Sequence, residues 1–173
     1  MTSPVCRSRR ATWAARTSIR RGIAALSFTA ACSGGAPAPL SETERAEAAA
    51  SVTERMQSLA GAMEARNTDR VMSHFRDDPG FVVVVDTAVY ATYDSLRADL
   101  RRGYGMFDRV EMHWMDLDVA IVGHNVAAVT ATFEQRTVMS GGTPWNTSGR
   151  WSGVLVRADS GWQIVRVHQQ TLP

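Results

Sequence analysis

Val52, Met56, Leu59, Ala60 and Met63 fall on one face at helical spacing, the pattern of an amphipathic helix. Ser41, with Glu44 three residues on, forms a capping box at its start. Glu42, Glu44 and Glu47 lie where the helix dipole favours acids. The helix is expected to run to about Arg66. Asn67 breaks it, and Thr68 caps a second short helix through Phe75. Asp77, Asp78, Pro79 and Gly80 make a turn, the acids bonding local backbone while proline and glycine set the dihedrals. Phe81–Val85 is a β-branched run expected to be buried on both faces. Asp86–Ala88 reads as a hairpin turn and Val89–Ala91 as a short return strand. Asp94–Gly103 predicts a third helix, with Leu96 and Leu100 facing inward and Gly103 ending it.

Beyond Gly103 the hydrophobic period falls to two. Arg109–Val122 predicts a long strand, with a bulge where the alternation slips near Asp116, Leu117 and Asp118. Gly123, His124 and Asn125 turn the chain into Val126–Met139. There Val129, Ala131 and Phe133 share one face, and Thr130, Thr132, Glu134 and Arg136 the other. Ser140–Thr143 lead into a strand from Trp145 to Arg157, and Asp159 and Ser160 into the last strand, Gly161–Thr171. Three helices around a hairpin, then a four-strand antiparallel meander, predict an α+β fold. The helices would pack on the concave face of a strongly curved, mostly antiparallel sheet.

Strict alternation along the last strand puts Trp162, Ile164, Arg166, His168 and Gln170 on one face. Gln163, Val165, Val167 and Gln169 take the other. One face thus begins apolar and becomes hydrogen-bonding, as the wall of a half-dry pocket would. A tight turn pairs Arg157 with Trp162; counting back, Leu155 faces Ile164, Gly153 faces Arg166, Trp151 faces His168 and Gly149 faces Gln170. The expected wall is Trp162, Leu155 and Ile164, continued by Trp151 beside His168 and Gln170, with Gly149 and Gly153 leaving open volume.

Residues 1–31 differ in kind from the rest. Arg7, Arg9, Arg10, Arg16, Arg20 and Arg21 occur with no acid, followed by the short apolar run Gly22–Ala31. A cationic start, a short apolar stretch and small residues describe an export signal, too short to span a bilayer. Arg9–Arg10 and Arg20–Arg21 are twin-arginine pairs without the full context, so the route stays open. Thr29, Ala30, Ala31 and Cys32 resemble a bacterial lipobox, with Thr29 where leucine is usual; this would make Cys32 a lipid-bearing new N-terminus. The alternative is an ordinary cut near Ala31. Cys6 lies in the leader, so the mature chain keeps one cysteine and no internal disulfide, which favours an anchor. Residues 32–40 then form a flexible tether, and residues 41–173 the domain. Of nineteen basic residues six lie in the leader, leaving thirteen against seventeen acids. A mildly acidic domain with no basic stripe argues against a nucleic-acid partner. The expected location is the membrane, at the periplasmic or outer surface, or else outside the cell.

Asp77–Pro79 leading into a strand, Tyr90–Leu96 feeding a helix, and Gly153–Arg157 followed by Gly161, Trp162, Ile164, Val165, His168 and Gln170 resemble the nuclear transport factor 2-like superfamily. Within it the chain is similar to the SnoaL-like branch, in which Gln170 stands at the position of a frequent serine. The similarity covers residues 41–173. It implies a cone-shaped, cystatin-like fold that hosts isomerases, dehydratases, epoxide hydrolases and non-catalytic binders alike.

His168 is the most versatile group for chemistry, able to act as general acid or base near neutral pH; the other reading is a histidine bonded to structure. Glu134 is the candidate acid to pair with it if the Thr130–Arg136 stripe faces the cone, and otherwise belongs to a solvated face with an exposed ion pair. Only one of His113 and Trp114 can face the pocket, and His74 and His124 are expected to be solvated. The histidines make no close set with acids, so neither metal nor cofactor is expected. Tyr90, Tyr104 and Trp114 read as pocket wall or core. Three functions follow as expectations. The first is a lipid-anchored domain binding a small apolar or amphipathic ligand through Trp114, Trp151, Trp162, His168 and Gln170. The second is a cofactor-independent isomerase, dehydratase or hydrolase using His168 and Glu134. The third is a module that dimerises through the sheet at Val154, Val165 and Val167.

Overall fold

Ser41 starts the first helix by reciprocal capping. Its hydroxyl accepts from the Glu44 amide at 3.3 Å, and the Glu44 carboxylate accepts from the Ser41 amide at 2.8 Å. In the computed structural model, which describes residues 38–172, this helix is α1 (Glu42–Glu64). Residues 1–37, and with them the leader, the Cys32 anchor and most of the tether, lie outside the described residues. Asn67, not Thr68, caps α2 (Thr68–Met72): its side chain accepts from the Arg70 amide, because residue 67 is the one left in extended geometry. Strands β1 (Val82–Val85) and β2 (Ala88–Tyr90) form a hairpin. Helix α3 (Tyr93–Tyr104) opens on a Thr92–Ser95 capping box and runs one residue past Gly103, the glycine expected to end it, with Gly105 as its C-cap. The meander follows as β3 (Phe107–Gly123), β4 (Val126–Met139), β5 (Pro144–Ala158) and β6 (Gly161–Thr171).

The six strands lie in the order β2-β1-β6-β5-β4-β3, antiparallel except that β1 runs parallel to β6. The helices cover one face. Val52, Met56 and Leu59 of α1 and Leu96 of α3 meet Val129, Phe133 and Leu155 of the sheet in one apolar core. β1 is buried on one face only: Val83 is covered while Val82 and Val84 stay half-exposed. The bulge anticipated in β3 is present between Met115 and Asp118, with Asp116 at a φ of 48°.

A second bulge, in β6, went unforeseen. Arg157 pairs with Trp162 and Leu155 with Ile164 as the turn requires, but the ladder then shifts so that Val154 pairs with Arg166. Val165 is the extra residue, and a bulge of one residue exchanges the faces of everything beyond it. Its position coincides with a change of partner on the other edge. Ile164 gives its amide to the His74 carbonyl and takes the Arg76 amide on its own carbonyl, whereas from Arg166 onward β1 is the neighbour. The expected pairs therefore fail from Gly153 on: Trp151 faces Gln169, Ser152 faces His168, and Gly149 faces Thr171.

Candidate functional site

Trp151 comes from the middle of β5 and is 4% exposed. Its ring folds back along the strand over Gly153, where a Cβ would collide with it. The glycine is filled by the indole and does not leave open volume; Gly149 likewise accommodates the Phe133 ring. Trp114 of β3 meets the Trp151 ring edge-on at 5.6 Å and is fixed by donation of its Nε1–H to the Met56 carbonyl of α1 at 2.9 Å. Between these indoles, the inward side of β1 and β6, Met63 and Leu100 of the helices, and Phe75 beyond α2 remains a hollow of about 90 Å³. Gln169 is its single polar lining residue.

The β1–β2 turn fixes Gln169. Asp86 sits in the left-handed region at a φ of 53° and gives its amide to the Gln169 carbonyl at 2.9 Å. The Asp86 carboxylate takes both the amide and the hydroxyl of Thr171, at 2.6 and 2.9 Å. The expected turn residue is thus also a clamp on the end of β6. Three tyrosines packed against the core remain protonated near neutral pH. Burial and the Asp99 carboxylate, which accepts from the Tyr90 hydroxyl at 2.7 Å, push Tyr90 up to about 12. Burial also raises Tyr104, whose buried hydroxyl has no partner among the described residues, and Tyr93, which donates to the Met72 carbonyl.

Of the residues singled out from sequence, Trp114 and Trp151 come together in this hollow. Trp162 is buried further along, with Arg157 stacked 5.8 Å from its ring, and it does not line the hollow. Neither do Tyr90 and Tyr104. His168 and Gln170 are exposed on the outer face, because the Val165 bulge turns them there; Trp151 pairs with Gln169 and lies on the opposite face from His168, so the expected Trp151–His168 contact does not form. The same bulge puts Val167 inward, 6% exposed, so it is no part of the sheet's back. Glu134 is also on the outer face, beside His113 across the ladder and 3.8 Å from Arg136. It stands four residues along β4 from Thr130, which shares a row with His168, so no Glu134–His168 pair forms. His74 is buried, not solvated: Nδ1 bonds the Arg70 carbonyl at 2.7 Å and Nε2 the Ser58 hydroxyl at 3.0 Å. His124 is exposed at the hairpin and bonds the Ala38 carbonyl.

Sequence reasoning missed Gln169, yet the signal was present. The apolar residues of β6 move from even positions (Trp162, Ile164) to odd ones (Val165, Val167), the same slip that revealed the β3 bulge. Among the described residues no group of three His, Cys, Asp or Glu side chains could hold a metal ion, and no helix is long and apolar enough to cross a membrane.

Among curated proteins none matches the sequence. Many solved structures share the fold. A nuclear transport factor 2-like superfamily protein from Salmonella enterica serovar Typhimurium is 17% identical, with a TM-score of 0.68 over 74% of this chain and 93% of its own. A ketosteroid isomerase-like protein from Erwinia carotovora atroseptica is 16% identical, with a TM-score of 0.62 over 73% and 98%. A protein of unknown function from Shewanella oneidensis is 12% identical, with a TM-score of 0.59 over 70% and 97%. At such identities the likeness shows the fold alone. The SnoaL-like domain matches residues 52–170, most of the described chain, and the protein belongs to that family.

Proposed function

We propose that the domain is a non-catalytic binder whose hollow takes a small apolar molecule, or the apolar end of a larger one, oriented by the Gln169 amide. One observation carries this reading: no side chain lining the hollow is ionisable. A general acid or base must reach the reacting atom, and Tyr90, Tyr93 and Tyr104 do not line the hollow. The volume sets the size. At about 90 Å³ the hollow falls short of the roughly 300 Å³ at which drug-sized pockets begin, so the enclosed part of the ligand is no larger than a few heavy atoms. Native mass spectrometry of the purified protein tests this. A co-purified mass lost in a Gln169→Leu variant that still folds would support it, and turnover of that ligand abolished by His168→Ala would refute it.

The domain would be displayed at a membrane by lipid on Cys32, after removal of residues 1–31. The arginine-rich leader, the small residues before Cys32 and the single cysteine left afterwards support this. An intact mass carrying diacylglycerol, and release of Cys32→Ser into the soluble fraction, are the expected results; an unmodified Cys32 would contradict it.

A further inference from the structure

Ser58 of α1 is bonded to the buried His74 and is itself open to solvent. The hydrogen bonds of the imidazole fix where its proton sits. Nδ1 lies 2.7 Å from the Arg70 carbonyl, and a carbonyl oxygen only accepts, so Nδ1 carries the hydrogen. In the neutral ring Nε2 is then a bare acceptor, and the Ser58 hydroxyl donates to it at 3.0 Å. Burial first, and then the Arg55 guanidinium, disfavour a second proton on the ring. The ring is also held still. It is 3% exposed, and its backbone is tied to β6: the His74 carbonyl takes the Ile164 amide at 2.8 Å, and the Ile164 carbonyl takes the Arg76 amide at 2.9 Å. A hydroxyl, a base within hydrogen-bond reach and a third group that orients the base are the parts of an activated nucleophile. Neither Ser58 nor His74 lines the hollow, so their chemistry stands or falls apart from the ligand reading.

We propose that Ser58 is an acylation site: its Oγ, deprotonated by His74, accepts the acyl group of an activated ester, one whose leaving group departs as a stable anion. The bond from Oγ to the carbonyl carbon forms, and the bond from that carbon to the leaving oxygen breaks. The hydroxyl proton passes to Nε2 and from there to the departing anion, which returns His74 to its neutral state. Two features set the class of donor. His74 resists a second proton, so it is a weak base, suited to a good leaving group and not to an amide. The Arg55 guanidinium, one turn back on α1 and bonded to the Ser73 carbonyl, adds positive charge beside the pair and favours a group that leaves as an anion. A third feature stops the reaction after transfer. Ser58 lies in mid-helix, where backbone amides are spent on intrahelical bonds. No free amides stand ready to hold the oxyanion of a second, hydrolytic attack, so the ester accumulates. The outcome is a single modification of each chain, compatible with a domain that performs no turnover.

Reaction of the purified protein with p-nitrophenyl acetate at neutral pH tests this. The chain contains no lysine, so side-chain amines do not compete for the acyl group. Ser51, on the same helix and equally exposed, is the internal control. The expected result is a burst of nitrophenolate stoichiometric with protein, and a peptide map with acetyl on Ser58 and none on Ser51. Ser58→Ala should abolish the burst. His74→Gln keeps the hydroxyl but loses the base, and should slow acylation about a hundredfold. If His74→Gln fails to fold, the pH profile of the wild type carries the same test. Arg55 of α1 and Arg70 of α2 are the charged groups that act on His74. The rate should be flat above about pH 6.5 and fall below it as the ring gains its proton. A rate that keeps climbing about tenfold per pH unit marks an unassisted hydroxyl. That profile, acetyl shared alike by Ser51 and Ser58, an unlabelled Ser58, or a His74→Gln variant as fast as wild type would each overturn the assignment.

Discussion

Trp151 and Gln169 are direct partners across the β5–β6 ladder, and both line the hollow beneath the helices. Large aromatic and single amide thus occupy one rung, held from two directions: Trp114 on the indole and the Asp86 clamp on the strand that carries the amide.

Gly153 exists to admit the Trp151 ring. Gly153→Ala puts a methyl group into an indole that Trp114 prevents from swinging away. Overpacking of this kind costs about 1–3 kcal/mol. Denaturant unfolding should show that loss, along with a changed near-ultraviolet tryptophan signal. Gly123→Ala, where the space is open, should show neither.

Asp86 is expected to be a determinant of Gln169 position. Asp86→Ala removes both bonds to Thr171 and leaves a Cβ-bearing residue without local hydrogen bonding at positive φ. On an exposed turn the loss should be about 1–2 kcal/mol. Asp86→Asn keeps an acceptor and tolerates the left-handed region, so it should lose less than half as much. Equal losses in thermal unfolding would contradict the clamp.

How far these supports could be read from sequence depends on the kind of signal each leaves. The helices announce themselves through caps at Ser41 and Thr92 and through the spacing of Val52, Met56 and Leu59, and strand limits through turn residues; these are local, so they survive translation into structure. That only one of Trp114 and His113 could face inward also followed from alternation. The face of His168 did not, because it depends on the parity of one inserted residue, Val165, which sits where the edge partner of β6 changes from His74 and Arg76, some ninety residues away in sequence, to β1. His74 was misplaced for a similar reason: a short polar helix reads as solvated unless one knows that Ser58 of α1 lies across from it.

That histidine sets a pH limit on stability. Burial, the largest cause, and the nearby Arg55 guanidinium lower His74 below its ordinary 6.5, against the Arg70 carbonyl bond that raises it. The unfolded chain therefore takes up a proton that the folded chain resists. The contribution is full above about pH 6.5 and is lost as the pH falls through the window below it. His74→Gln should be less stable than wild type at about pH 8 but should flatten the decline below about pH 6.5. An unchanged slope in urea unfolding would remove His74 as its source.

Ligand is expected to enter the hollow and not to bind the outer face. The direct measurement is a nuclear magnetic resonance titration with small apolar fragments, following the Trp114 and Trp151 indoles, the Gln169 side-chain amide, and the Arg150 and His168 signals. Saturable shifts are expected at the two indoles and the amide, with Arg150 and His168 unmoved. Shifts confined to Arg150 and His168 would contradict it.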